Sequence, residues 1–168
     1  MNAPIGERPQ MPEYVVGGDG WQALPWSWAA ERLARSRNYW LATVTPQGQP
    51  HSLPVWGVWH DDEHRFMFSC ARTSTKARNL AANPRLTLTN DDCVECVSVQ
   101  GIAGRVTDGS RLDEWVDRYV AKYGAEGGDD LGTFLRGTAV FDVAPTVAFG
   151  IIERPEEFAG SATRWRFT

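Results

Sequence analysis

The residues best equipped for chemistry lie in SCARTSTKARNLAANPRLTLT, Ser69 to Thr89, which carries Arg72, Lys76, Arg78 and Arg85 without a carboxylate. The acid-free run extends from Arg65 to Asn90, between Glu63 and Asp91, in a chain whose formal net charge is −4. Cations gathered against the overall balance call for an anion to neutralise them. Thr73, Ser74 and Thr75 add hydroxyl donors directly ahead of Lys76 and Arg78. If a helix starts there, its first backbone N–H groups lack intrahelical partners and its dipole favours negative charge. Arginine clasps a phosphate with two parallel bonds, and lysine adds a point charge. The stretch reads as a phosphate cradle built without a glycine loop, since neither GxGxxG nor a Walker A pattern occurs in the chain. A solvated basic helix fits the same residues, and their types alone do not separate the two readings.

Other reactive patterns are missing or incomplete. There is no GxSxG elbow, no HExxH and no convincing carboxylate pair, and nothing builds a triad around His51, so no catalytic side chain is assigned. Cys93-Val-Glu-Cys96 has CxxC spacing but no second CxxC or His pair to complete four zinc ligands. It also lies in a strand-like segment, where positions three apart point to opposite faces. With Cys70 the cysteines number three, an odd count that argues for reduced thiols. His60 and His64 flank Asp61, Asp62 and Glu63 in what reads as a solvated hairpin turn, and no metal ligand is assigned there.

The elements that must position these residues follow from periodicity. Pro25 to Asn38 reads as a helix with Ser27 as N-cap and Trp28, Ala29, Ala30 and Leu33 on one face. YWLATVT and PHSLPVWGVWH, joined by the PQGQ turn, read as a hairpin, and RFMFSC as the next strand. STKARNLAANP breaks the β pattern and predicts a short helix stopped by Asn83 and Pro84. RLTLTN resumes strand, and CVECVSVQGIAGRVTD is a long strand bent at Gly101 and Gly104. SRLDEWVDRYVAKYG predicts an amphipathic helix burying Leu112, Trp115, Val116, Tyr119 and Val120 and ending at Gly124. After a loop rich in Gly and Asp, TAVFDVAPTVAFGIIE and SATRWRFT supply closing strands. The fold class is α+β, mainly β: a small barrel of mostly antiparallel strands with short flanking helices.

Length and composition set the frame. The 168 residues suit one compact domain over residues 25–168, preceded by a loose Pro- and Gly-rich arm over residues 1–24. Hydrophobic content of 42% and charged content of 23% are ordinary for a soluble protein. No apolar run approaches a membrane span and no signal peptide opens the sequence, so no membrane partner and a cytoplasmic setting are expected. The acidic balance disfavours a nucleic-acid partner, including a single-strand stacking platform built from the eight Trp.

With these elements in place, YWLATVTPQGQPHSLPVW, RFMFSCARTSTKARNLAANPRLTL and VSVQGIAGRVTD resemble the pyridoxamine 5′-phosphate oxidase-like superfamily of FMN-binding split barrels. The ending FAGSATRWRF is similar to that of the flavin/deazaflavin oxidoreductases, a branch common in actinobacteria whose members use FMN or coenzyme F420. The resemblance implies that Ser74, Thr75, Lys76 and Arg78 grip the cofactor phosphate. It implies that Leu53, Pro54, Val55 and Trp56 run past the ring system, that Phe68 and Ser69 touch ring and ribityl chain, and that Arg164 and Trp165 belong to a substrate-binding C-terminal segment. Cys96 departs from the pattern, standing where the pyridoxamine phosphate oxidases carry Gln. Asn79, Asn83, Pro84 and Arg85 are read as structural. The implied activity is hydride transfer to or from a small organic substrate, with the cofactor carrying the chemistry, in a homodimer whose groove lies between subunits. The alternative is a carrier that holds flavin, deazaflavin or haem without turnover.

Overall fold

The computed structural model describes residues 3–11 and 20–168. Its first regular helix, α1 (Trp26–Arg35), buries Trp26, Ala29, Ala30 and Leu33, the i, i+3, i+4, i+7 stripe of a helix lying on a core. Trp28, expected on that face, is half-buried at its edge. Pro25 occupies the N-cap position without a side-chain bond, so the expected cap, Ser27, falls inside the first turn.

The strands that follow are β2 (Tyr39–Val44), β3 (Pro50–Val55), β4 (Gly57–His60) and β5 (Arg65–Cys70); PHSLPVWGVWH, expected as one arm of a hairpin, is divided at Trp56 into β3 and β4. The helix predicted from STKARNLAANP forms as α2 (Thr75–Ala82), after which come β6 (Arg85–Asn90) and β7 (Glu95–Arg105). The register of β7 shifts between Gln100 and Gly101. A Cβ on Gly101 would sit 2.7 Å from Val143 Cγ1 and 2.8 Å from the Ala144 carbonyl oxygen, which is why the bend needs glycine there. Gly104, by contrast, has nothing closer than 3.8 Å and marks no bend.

Helix α3 (Gly109–Gly127) starts at Asp108, whose carboxylate accepts from Arg111 N–H at 2.8 Å. It runs past the predicted stop at Gly124 to Gly128, whose φ of +76° is the left-handed conformation that ends helices. Its buried face is Trp115, Val116, Tyr119 and Tyr123, while Val120 is 38% exposed. Two short helices were not legible in the sequence: α4 (Leu131–Gly137), in the Gly- and Asp-rich stretch, and α5 (Pro155–Ser161), ahead of β9 (Thr163–Arg166). Between them, β8 (Ala139–Ile152) is one continuous strand.

All strand pairs are antiparallel, in the order β1-β9-β8-β7-β6-β2-β3, with β5 on β8 and β4 on β5. Strand β1 (Gly6–Glu7) belongs to the N-terminal arm and pairs with β9, and Leu24 N–H donates to Thr163 Oγ1 at 2.9 Å. Residues 1–2 and 12–19 of that arm lie outside the described residues. Strand β8 serves two neighbours on one side: β5 along Ala139–Val143, then β9 along Val147–Gly150, with Pro145 at the changeover.

No ladder joins β3 to β4; the chain itself connects them through Trp56. Helix α3 seals this split. Gly57 N–H donates to Tyr123 Oη at 3.0 Å, and the Gly57 carbonyl accepts from Tyr123 at 2.8 Å and from Lys122 Nζ at 3.0 Å. Two apolar clusters result. Tyr39, Leu41, Phe66, Phe68, Leu88, Val97, Phe141 and Trp165 fill the barrel. Val58, Met67 and Val140, on the opposite faces of their strands, pack outward against Trp115, Tyr119, Tyr123 and Leu135. Among the described residues no helix is long and apolar enough to cross a membrane.

Candidate functional site

Strand β5 ends at Cys70, the chain turns through Ala71 to Thr73, and α2 begins. Ser74 is the N-cap: its side chain accepts from Ala77 N–H at 3.2 Å, and its own N–H donates to the Ala71 carbonyl at 3.0 Å. The N–H groups of Thr75 and Lys76, at the first two helical positions, have no acceptor inside the described structure. The helix is fixed from below by Asn79, which is buried and donates to Thr43 Oγ1 on β2 at 3.0 Å. Asn83 ends it, accepting from Arg85 N–H at 3.1 Å ahead of Pro84. Asn79 and Asn83 are thus structural, as the sequence suggested.

Four cations of this stretch lack the carboxylate partners that most other arginines among the described residues have. Arg32, Arg37, Arg65, Arg111, Arg136, Arg154, Arg164 and Arg166 each pair with a carboxylate. Arg72, Lys76, Arg78 and Arg85 form no ion pair among the described residues. Lys76 is half-buried beside the free N–H groups. Arg78 is exposed, and its guanidinium clasps its own loop, donating to the Thr73 carbonyl and to Thr75 Oγ1 at 3.1 Å. An incoming anion therefore meets a preformed turn, one ammonium without an ion pair among the described residues, and a guanidinium already anchored beside it.

The residues expected along the ring lie one strand away. Leu53 faces Leu41 across the β2–β3 ladder and is 50% exposed, β3 having no second neighbour among the described residues. Pro54 is exposed, Val55 is buried, and Trp56 is half-buried, stacked on Tyr123 at 4.7 Å with the Arg37 guanidinium 5.2 Å over its ring. Ser69 is half-buried at the root of the loop, whereas the Phe68 side chain is wholly in the core against Phe66 and Phe141. The Phe68 backbone is paired on both sides, with Gly57 of β4 and Phe141 of β8, so within this chain Phe68 presents nothing to the groove. Arg164 and Trp165 lie elsewhere in the chain: they pair with Phe149 and Ala148, whereas Cys70 pairs with Ala139 at the far end of β8. Those positions are about 30 Å apart along the strand. Trp165 is fully buried and Arg164 is held by Glu7 at 2.7 Å.

The site also has a support that sequence reading missed. Lys122 donates to Tyr39 Oη at 2.9 Å and sits over the Tyr39 and Tyr123 rings. Burial lowers its pKa to about 8. Burial likewise pushes Tyr123 up to about 12 and raises Tyr39 well above the ordinary tyrosine range. These phenols stay protonated at neutral pH and act as fixed hydrogen-bonding struts behind Trp56. Only their aromatic character at helical spacing, Tyr119 and Tyr123 at i, i+4, hinted at this.

The chemistry of the α2 donor set fits a phosphate: free N–H groups, three hydroxyls and unpaired cations, with no carboxylate from Arg65 to Asn90 to compete.

Comparisons with known proteins agree with the architecture. The family described as pyridoxamine 5′-phosphate oxidase matches residues 28–151. A search of curated proteins gives no match. Among solved structures, a conserved hypothetical protein of Mycobacterium tuberculosis is similar at 19% identity and a TM-score of 0.64, over 89% of this chain and 88% of that one. The haem storage protein HutZ of Vibrio cholerae is similar at 20% identity and 0.58, over 70% of this chain and 87% of its own. An F420 reductase is similar at 22% identity and 0.54, over 79% of this chain and 98% of its own. At such identities these likenesses speak for the split-barrel fold alone, and together with the family match over most of the sequence they lead to one conclusion: the chain belongs to the pyridoxamine 5′-phosphate oxidase family.

Proposed function

We propose that the protein binds FMN or coenzyme F420 with a phosphate at the N-terminus of α2 and the ring along β3, and that it is a cytoplasmic oxidoreductase of the flavin/deazaflavin branch. The observation that carries this reading is the set of cations without ion pairs among the described residues: Arg72, Lys76 and Arg78 beside a helix start with two free N–H groups, and Arg85 beyond the other end of α2. Either cofactor, when bound, supplies hydride transfer through its central ring. The protein's part is to fix that ring. Lys76 and the Thr75 and Lys76 N–H groups anchor the phosphate, and Leu53 and Pro54 offer an apolar rail. Trp56, locked by Tyr123 and Arg37, limits how far the ring can slide. The spread of cations from Arg72 to Arg85 suits a long anionic tail, which favours F420.

The exposed Trp40 (49%) and Leu53 (50%), on opposite faces of the β2–β3 margin, support a homodimer in which a second chain wraps this margin and completes the groove.

Separate titrations with FMN and F420, followed by quenching of Trp fluorescence, test the binding. Cofactor reduction and substrate-dependent reoxidation then test the activity. Failure of both cofactors to bind at about 100 µM would overturn the reading. A second reading, a haem carrier without turnover, draws on the haem-binding names among the similar structures and on His51, which is exposed on β3 whereas His60 and His64 are buried. A Soret band that shifts in His51→Ala, with no flavin or deazaflavin binding, would favour it.

A further inference from the structure

The turn between β4 and β5, which the sequence leaves to solvent, is built differently. His60 and His64 are both buried, and the turn brings His60 and Glu63 against Glu114 of α3. One ligand atom from each of His60, Glu63 and Glu114 lies within 4.8 Å of the other two. The His60 side chain is 8% exposed, and its buried Nδ1 has no hydrogen-bond partner. That nitrogen stands 3.6 Å from Glu63 Oε1 and 3.9 Å from Glu114 Oε1. These separations exceed a hydrogen bond, yet they approach the spacing of about 3.4 Å between ligands held 2.0–2.1 Å from a tetrahedral ion.

We propose that His60 Nδ1, Glu63 and Glu114 bind one divalent ion of the zinc class, with water completing the coordination. The surroundings are those of a ligand set held in place from behind. Arg111 donates to Glu63 Oε2 and to Glu114 Oε2, both at 2.6 Å, and to Asp142 at 2.9 Å. Each carboxylate thus spends its short bond on the oxygen turned away from His60. The oxygens facing His60 carry longer 3.2 Å contacts, Glu63 Oε1 from Arg111 and Glu114 Oε1 from Arg118, and keep lone pairs to give. On its other side, His60 Nε2 stands 3.7 Å from Asp62 Oδ2, beyond a hydrogen bond; a proton on Nε2 leaves the Nδ1 lone pair for the ion. One imidazole and two carboxylates suit a zinc-class ion better than calcium or magnesium, which take oxygen ligands throughout. The half-exposed glutamates leave an entry path. An ion here clamps the β4–β5 turn to the start of α3. It lies at the Arg65 end of β5, opposite the Cys70 end that leads to α2, so the site is separate from the proposed cofactor groove.

The test is calorimetric titration of chelator-stripped full-length protein with Zn²⁺, repeated with Co²⁺ to read its visible absorption. One ion per chain is expected, with affinity falling at least tenfold in His60→Ala and in Glu63→Gln. It should stay unchanged in His51→Ala and in the double variant Cys93→Ser, Cys96→Ser. If His60→Ala fails to fold by circular dichroism, Glu63→Gln and Glu114→Gln, both on half-exposed side chains, carry the test. No stoichiometric ion at up to about 100 µM Zn²⁺ overturns the proposal, as does binding that survives His60→Ala or disappears with the cysteines.

Discussion

Replacing Lys76 by alanine isolates the phosphate reading, because the ammonium forms no ion pair that the folded chain would miss. A charge-assisted bond to phosphate is worth about 1.5–3 kcal/mol, so Lys76→Ala is expected to weaken FMN or F420 binding roughly ten- to a hundredfold. Stability should move by less than about 0.5 kcal/mol, the usual range for a surface change that breaks no contact. Arg78 behaves differently. Its guanidinium already bonds the Thr73 carbonyl and Thr75 Oγ1, so Arg78→Lys loses the two-pronged grip on phosphate and also loosens the turn that presents the N–H groups. Arg78→Lys should therefore bind less tightly, while its salt dependence, set by the retained charge, stays close to that of wild type. The assay is cofactor titration of wild type and both variants at matched ionic strength. Arg105→Ala, another exposed cation without an ion pair but outside α2, serves as the control for general charge loss. If Lys76→Ala and Arg78→Lys bind like wild type, the cations merely face water and the site assignment is wrong.

Three further outcomes are expected. In Lys122→Met the comparison with wild type is pH-dependent. The folded pKa of about 8 lies below the ordinary lysine value of 10.5, so the unfolded chain binds more protons between them. The cost of burying this charge is full below pH 8 and is relieved as pH rises toward 10.5. Because the side chain is only partly buried, wild type should gain about 1–2 kcal/mol relative to the variant across that window in urea unfolding; an unchanged difference refutes the lowered pKa. Gly57→Ala places a Cβ 2.2 Å from Phe66 Cζ and 2.7 Å from the Met67 carbonyl oxygen, so it should destabilise by about 1–3 kcal/mol in the same assay; a neutral result would mean the β4–β5 ladder yields more than its geometry suggests. Cys93→Ser should leave activity and metal content unaltered, and loss of stoichiometric zinc in that variant would overturn the reading of CxxC as idle.

Most of the strands, α2 and its stop at Asn83–Pro84 were legible because each rests on local pattern: alternation, a hydroxyl N-cap, a residue that precedes proline; β1 and the break between β3 and β4 were not. The Gly101 bend was legible for the same reason. What stayed hidden depends on partners far away in sequence. Gly124 looked like a helix end, but it tolerates the helical interior and the positive φ falls at Gly128. Leu131, Leu135 and Phe134 made α4 too short to show a period, and α5 lies in a stretch whose Gly160 and Ser161 read as a break. His60 and His64 sat in an acidic turn that looked solvated. The burial comes from Trp26 and Phe167 against His64 and from Trp115 against His60, contacts across the fold. Lys122 gave no signal because a lysine on a helix is ordinarily at the surface.

Strand β3 has a consequence for assembly. An edge strand offers unpaired donors and acceptors that can recruit a foreign strand. In β3, Pro50 and Pro54 lie opposite Val44 and Trp40 on β2, two residues either side of Ser52. Proline fits a paired strand where its missing donor faces away from the ladder. By that parity the outward donors would come from Pro50, Ser52 and Pro54, and Ser52 alone can supply one. An extended peptide arriving at this margin finds acceptors but almost nothing to accept from. The margin is thereby guarded against indiscriminate sheet growth while its apolar side chains stay in view, so whatever docks there must do so by shape and hydrophobic contact rather than by lengthening the sheet.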